Sequence, residues 1–138
     1  MENKVQSLYN TSMTIYESAE DYLERILILS EQMEFVRAID IVNDMGFSKP
    51  SVSIAMKKLQ MNNYIQISEK GHITLTPSGE KIAKRIYERH LVLTQILKDL
   101  GVPEEIAKMD ACKIEHDLSD QSFDAIKAHI NKYKQSRN

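Results

Sequence analysis

Between residues 22 and 32 the apolar positions recur every three or four residues, with Leu23, Ile26 and Leu27 on one stripe. That spacing predicts a helix with one buried face. Within "SAEDYLERILILSEQ", Ser18 stands where an N-cap belongs and Asp21 takes the capping-box position. Residues 1 to 16 have weak periodicity and are expected to be loose. In "VRAIDIVNDMGFS" the helical spacing returns, with Ile39, Val42 and Met45 expected buried and Gly46 as the stop. Ser48 then caps "KPSVSIAMKKLQMNN", whose Pro50 is tolerated in the first turn. Val52, Ala55, Met56 and Leu59 line one side of it, and Ser51, Ile54, Lys57 and Lys58 the other.

The period then changes. "YIQISEKGHITLT" alternates apolar and polar residues around Lys70-Gly71, the pattern of a two-stranded hairpin. Pro77 opens a long helix that Gly101 ends. Short helices from about Pro103 and from about Ser119 complete the chain. Two short helices, a hairpin and a long helix in this order describe a winged helix-turn-helix. The fold class expected is mainly α: a winged helix-turn-helix domain over residues 1–76, then a helical domain over 77–138.

Composition adds limits. The chain has 138 residues, 42% hydrophobic and 28% charged, ordinary for one folded domain. No apolar run approaches the length of a membrane span and no signal peptide opens the sequence. The single Cys excludes an internal disulfide framework and suits a reducing compartment, so a cytoplasmic location without membrane partners is expected. Net charge is only −2, but residues 45–90 carry eight Lys or Arg against three Glu. A basic segment between acidic flanks draws phosphate to the one and cations to the other.

In a winged helix the second helix of the pair enters the major groove of duplex DNA. Its outward Ser51 and Ser53 can exchange hydrogen bonds, Lys57 and Lys58 can meet phosphates or guanine edges, and Ile54 can cover a thymine methyl. Lys70 and His72 at the hairpin tip suit phosphate or minor-groove contact, and Arg37 suits a phosphate or plain solvent. A solvated lysine face would read the same residue by residue, and only the order of elements separates the two.

The cation side centres on "DACKIEHDLS". Cys112, Glu115 and His116 stand at i, i+3 and i+4, one face if the segment is helical. An ordinary polar helix face would look alike. Two other places add to it: Asp21 and Glu24 project from one side of the first helix, and His90 interrupts the long helix before Leu91, Val92 and Leu93. If these converge, a divalent ion would relieve the crowding of like charges.

"EDYLERILIL", the helix pair with "SKPSVS", "ERHLVLTQIL" and "CKIEHDLS" together resemble the diphtheria toxin repressor family of metal-dependent transcription factors, and most of all its short manganese transport regulator branch. The likeness runs over roughly residues 18 to 130, without the further C-terminal SH3-like domain of longer, iron-responsive members. It implies a homodimer that binds double-stranded operator DNA when loaded with Mn(II) or Fe(II) and represses metal-uptake genes. Asp21 and Glu24 match the first-helix carboxylates of the manganese branch, His90 the long-helix ligand, and Glu115 and His116 the shared Glu-His pair. Cys112 departs from that branch, which has Glu, and agrees with the iron branch, while Asp21 departs from the iron branch, which usually has Met. The ligand set therefore looks mixed, with Cys112 giving either its thiolate or only its carbonyl. The iron branch's ancillary site would need ligands where this chain has Thr94 and Lys108, so it is expected to be missing. Ser48, Pro50, Ser51 and Ser53 are DNA-proximal by the same resemblance, and Lys49 among them is a further candidate for DNA contact. Some iron-branch members read adenine with Gln at position 54, which Ile54 cannot repeat.

Hard carboxylates suit Mn(II), and thiolate suits Fe(II), Co(II) or Zn(II). The sequence holds no nucleophile–base pair, phosphate-binding Gly loop or HExxH arrangement, so no enzymatic activity is expected. A metal-independent winged-helix regulator is the alternative reading.

Overall fold

The structure is a computed structural model that describes the backbone over residues 4–137 and the side chains over 18–134. Its elements are α1 (Lys4–Gln32), α2 (Ala38–Met45), α3 (Lys49–Met61), β1 (Ile65–Ile67), β2 (Ile73–Leu75), α4 (Pro77–Asp99), α5 (Glu104–Ile114) and α6 (Asp120–Arg137). Two compact units divide the chain, Met1–Arg85 and Ile86–Asn138. No helix among the described residues is long and apolar enough to cross a membrane.

In the first unit the stripe of α1 supplies Leu23, Ile26 and Leu27 to a core shared with Ile41, Val52, Met56, Leu59, Ile65 and Ile73. Each of these large side chains contributes about 1.5–3 kcal/mol by leaving water. Gly46 ends α2 in the left-handed region at φ 73°, its N–H donating to the Val42 carbonyl at 2.9 Å, as a helix stop requires. Ser48 caps α3, its Oγ accepting from the Ser51 N–H at 3.2 Å. The hairpin pairs Ile65 with Leu75, Gln66 with Thr74 and Ile67 with Ile73. Its β2 also takes in Val36 from the segment before α2, whose carbonyl accepts from the Ile73 N–H at 2.7 Å.

Gly79 is required by a close approach. A Cβ there would sit 2.0 Å from the Tyr64 carbonyl oxygen. The same corner is tied by Thr76, whose hydroxyl donates to the Asn63 carbonyl at 2.7 Å and accepts from the Gly79 N–H at 3.2 Å. The long helix therefore starts hard against the end of α3 and the entry to the wing.

Three expectations need correction. The first helix begins at Lys4, so residues 4 to 16 are helical rather than loose, while 1 to 3 lie outside the described residues. Ser18 lies inside the helix rather than capping it. The stretch contains neither Gly nor Pro, and nothing in it stops a helix propagating backwards from the packed stripe. In α2 the fully buried residue is Ile41; Ile39 is 44% exposed and Val42 and Met45 are half-buried. The helix begins only at Ala38, which turns Ile39 outward in its first turn.

The second unit packs the remainder of α4 against α5 and α6 through Ile86, Leu93, Ala107, Ala111 and Phe123. Much apolar surface is left over: Leu91, Leu100, Ile106, Met109 and Tyr133 are exposed. Phe123 belongs to this internal core.

Candidate metal centre and nucleic-acid interface

α5 stops at Ile114, and Glu115 follows as its C-cap with helical angles and its N–H on the Ala111 carbonyl at 2.9 Å. Cys112 is thus on the helix, while Glu115 and His116 lie in the turn after it. The turn still brings the expected groups together. The Glu115 Oε2 lies 3.0 Å from the His90 Nδ1, and the Cys112 Sγ lies 3.7 Å from the same nitrogen. His116 adds its Nε2 at 3.5 Å from Glu115 Oε1. The Glu115 side chain is 1% exposed.

Two features show what this arrangement can hold. Glu115 Oε1 is buried with no hydrogen-bond partner among the described residues, an expensive state for a carboxylate oxygen. And one ligand atom each from His90, Cys112 and Glu115 falls within 4.8 Å of the others. First-row divalent ions bind N, S and O at about 2.0–2.3 Å, so one ion between the three needs only a small closing movement. The residues therefore fit a divalent cation, with the Cys112 sulfur, not only its backbone, facing the cluster. Electrostatics agree: hydrogen bonds with Cys112 first and Glu115 second, accepted from the protonated imidazole, raise the His90 pKa to about 10, against an opposing effect of burial.

Glu24 is buried and Asp21 half-buried on α1. Beside them is a residue that sequence reasoning missed: Glu20, buried, with its Oε2 at 3.4 Å from Arg85 Nη1. Its signal was there, since Glu20, Leu23 and Leu27 share the i, i+3, i+7 stripe. Arg89 was missed too, although it takes its place on the buried stripe of Ile86 and Leu93. Of the two ancillary positions, Thr94 is buried and Lys108 points to Glu104 at 3.7 Å. Asp120 is an ion-pair partner of Arg89 at 2.6 Å.

On the first unit, α3 presents Lys49, Pro50, Ser51, Ser53, Ile54, Lys57 and Lys58 to solvent, with Ile54 57% exposed. Ser48 donates to the Ser51 Oγ at 2.8 Å, which leaves Ser53 as the less committed hydroxyl of the helix. At the wing, Lys70 is exposed at the tip. Arg37 and His72, 35 residues apart, come side by side, with Nη2 to Nε2 at 3.1 Å. Phe35 stacks on the His72 ring at 4.1 Å between centroids, 14° from parallel. The pre-α2 segment and the wing tip therefore offer one combined basic and aromatic surface.

Comparison with known proteins places both halves. Residues 14–73 match the family profile described as the iron dependent repressor N-terminal DNA binding domain. Residues 76–137 match the iron dependent repressor metal binding and dimerisation domain. The chain is 38% identical over 109 residues to the HTH-type transcriptional regulator MntR of Lysinibacillus sphaericus, covering 79% of this chain and 78% of that one. It is 36% identical over 119 residues to the regulator of the same name in Bacillus pumilus, covering 86% and 83%. A solved structure described as a manganese-dependent transcriptional repressor complex with manganese superposes with a TM-score of 0.75 at 28% identity. It covers 82% of this chain, which spans about half (52%) of that longer one.

Proposed function

We propose, since this chain belongs to the iron-dependent repressor family, that it is a metal-dependent DNA-binding transcriptional repressor of metal-ion uptake genes, with Mn(II) or Fe(II) as its co-repressor. The observation that carries this is the meeting of His90, Cys112 and the buried Glu115 carboxylate, with one ligand atom of each within 4.8 Å of the others. The metal-independent alternative gives no account of that cluster.

His90, Cys112, Glu115 and His116 would hold the ion from the second unit, with Asp21 and Glu24 of α1 completing the set. The ion supplies positive charge among carboxylates and a thiolate. The chain's own part is to surrender the His90 and Cys112 protons and hold its donors in register. We keep residues 1–76 as the DNA-binding part and 77–138 as the dimerisation and metal-binding part. In a homodimer two α3 helices must stand about 34 Å apart to enter successive major grooves. The ion-free dimer samples other separations, so loading raises the competent fraction, and DNA tightens metal binding in return. The exposed Leu91, Leu100, Ile106 and Met109 supply apolar area for the dimer. Arg37, Lys57, Lys58, Lys70 and His72 supply phosphate contacts, and Ser53 and Ile54 face base edges. The setting is the cytoplasm, and the role is regulatory rather than catalytic.

The test is selection of duplexes from a random pool in Mn(II), followed by anisotropy titration of the selected site with Mn(II), Fe(II), Zn(II) or chelator. Affinity rising at least tenfold with Mn(II) or Fe(II) is expected. Equal affinity in chelator overturns the metal switch.

A further inference from the structure

Arg89 is 1% exposed and directly precedes His90 on α4. A guanidinium so deep is tolerable only when its donors find acceptors. Its Nη1 donates to the Glu115 carbonyl at 3.0 Å and also to the Leu118 carbonyl. Its Nη2 donates to Asp120 Oδ1 at 2.6 Å, and the Phe123 ring lies 5.2 Å from the guanidinium carbon. All three acceptors lie between the end of α5 and the first residue of α6. The Glu115 carbonyl lies where α5 ends and its own hydrogen-bond ladder runs out.

We propose that Arg89 is a positioning residue for the metal centre: it fixes the 115–120 turn so that Glu115 presents its carboxylate to His90. This rests on the metal reading above. The geometry behind it is double. Glu115 is held from α4 twice, its main-chain oxygen by Arg89 and its Oε2 by His90. Neighbouring residues of one helix therefore set both ends of the same ligand. Without Arg89, α4 holds Glu115 only through its carboxylate, the group that must be free to meet the ion. The role needs arginine. Two donor nitrogens in a planar fork meet two carbonyls and a carboxylate together, whereas a lysine ammonium brings a single point of charge on a flexible stem.

A residue that merely packed α6 would change the stability of the ion-free chain and leave the coordination sphere alone. The experiment therefore reads the sphere. The full chain is titrated with Co(II), and its visible ligand-field bands are recorded at saturation for wild type, Arg89→Met and Arg89→Lys, with circular dichroism of each ion-free protein. Folded Arg89→Met should bind Co(II) about ten- to a hundredfold more weakly, as loss of groups that orient ligands does, with altered bands at saturation. Arg89→Lys should not restore them. Wild-type affinity and bands in folded Arg89→Met overturn the proposal. If Arg89→Met does not fold, Arg89→Lys decides, since it keeps a buried cation on an unbranched stem and loses only the planar fork. Weakened Co(II) binding with shifted bands supports the clamp, and unchanged values overturn it. Wild-type protein that takes up no Co(II) overturns the metal reading itself, a failure recognisable because it precedes any substitution.

Discussion

The imidazole of His90 and the carboxylate of Glu115 stand 25 residues apart in sequence and 3.0 Å apart in space, Nδ1 to Oε2. The contact joins the middle of α4 to the turn after α5 and gives the ion-free protein a charged pair where a divalent ion would sit.

The first prediction concerns pH. His90 is raised from 6.5 to about 10, by Cys112 first and Glu115 second. A raised histidine stabilises the fold below its unfolded pKa, and that contribution is lost as pH climbs through the folded value. Urea midpoints of the ion-free chain should therefore fall between pH 6.5 and about 10, and His90→Gln should flatten that decline. In the same window apparent Mn(II) affinity should rise, because the ion competes with fewer protons. Titration calorimetry in buffers of different ionisation enthalpy would detect the released protons.

Gly79→Ala sets two effects against each other. Alanine favours helix over glycine by about 1 kcal/mol. Its Cβ would also fall 2.0 Å from the Tyr64 carbonyl oxygen, and relieving such a backbone clash costs about 1–3 kcal/mol or more. Sterics should win, so the urea midpoint is expected to drop; an unchanged or higher midpoint would show that the helix start moves aside freely.

At the wing, Arg37→Ala and His72→Ala should each weaken operator binding uniformly across sequences. Each should lower the salt slope by about one counterion for every phosphate the variant no longer neutralises. The 3.1 Å approach of the two side chains means the double variant should lose less than the sum of the singles. Anisotropy titrations across salt concentrations measure both.

Ile54 is solvent-facing on α3. Ile54→Ala should leave folding stability within about 0.5 kcal/mol yet relax preference at one base pair, where a thymine methyl is covered. Ile54→Gln should introduce adenine preference there. Selected-site sequencing reads both outcomes.

Leu100 is 75% exposed at the end of α4. Leu100→Asp should shift sedimentation from dimer towards monomer at micromolar concentration while circular dichroism is retained. A variant that stays dimeric would place the interface elsewhere.

The architecture was largely legible because its punctuation is chemical. Gly46 needed a left-handed angle, Ser48 a hydroxyl at a helix start, and the alternation around Lys70-Gly71 a pleated pair. The backward extension of α1 was not, because a stretch without helix breakers and with weak periodicity carries no start signal. The ligand face was read through helical spacing, yet the helix ends at Ile114; Glu115 keeps helical angles, which is why the spacing still served. Arg89 was hidden because a lone cation on an apolar stripe looks like a lapse in the pattern, and only its acceptors, supplied by distant carbonyls, explain it. Glu20 escaped for the same reason, with Arg85 as its distant partner.

Val36 has an effect outside regulation. A two-stranded ribbon has two open rims, each able to recruit a foreign chain into a growing fibril. By lending its carbonyl to Ile73, Val36 blocks part of one rim with the protein's own main chain. The exposed hairpin thereby offers a foreign strand less free main chain along that rim.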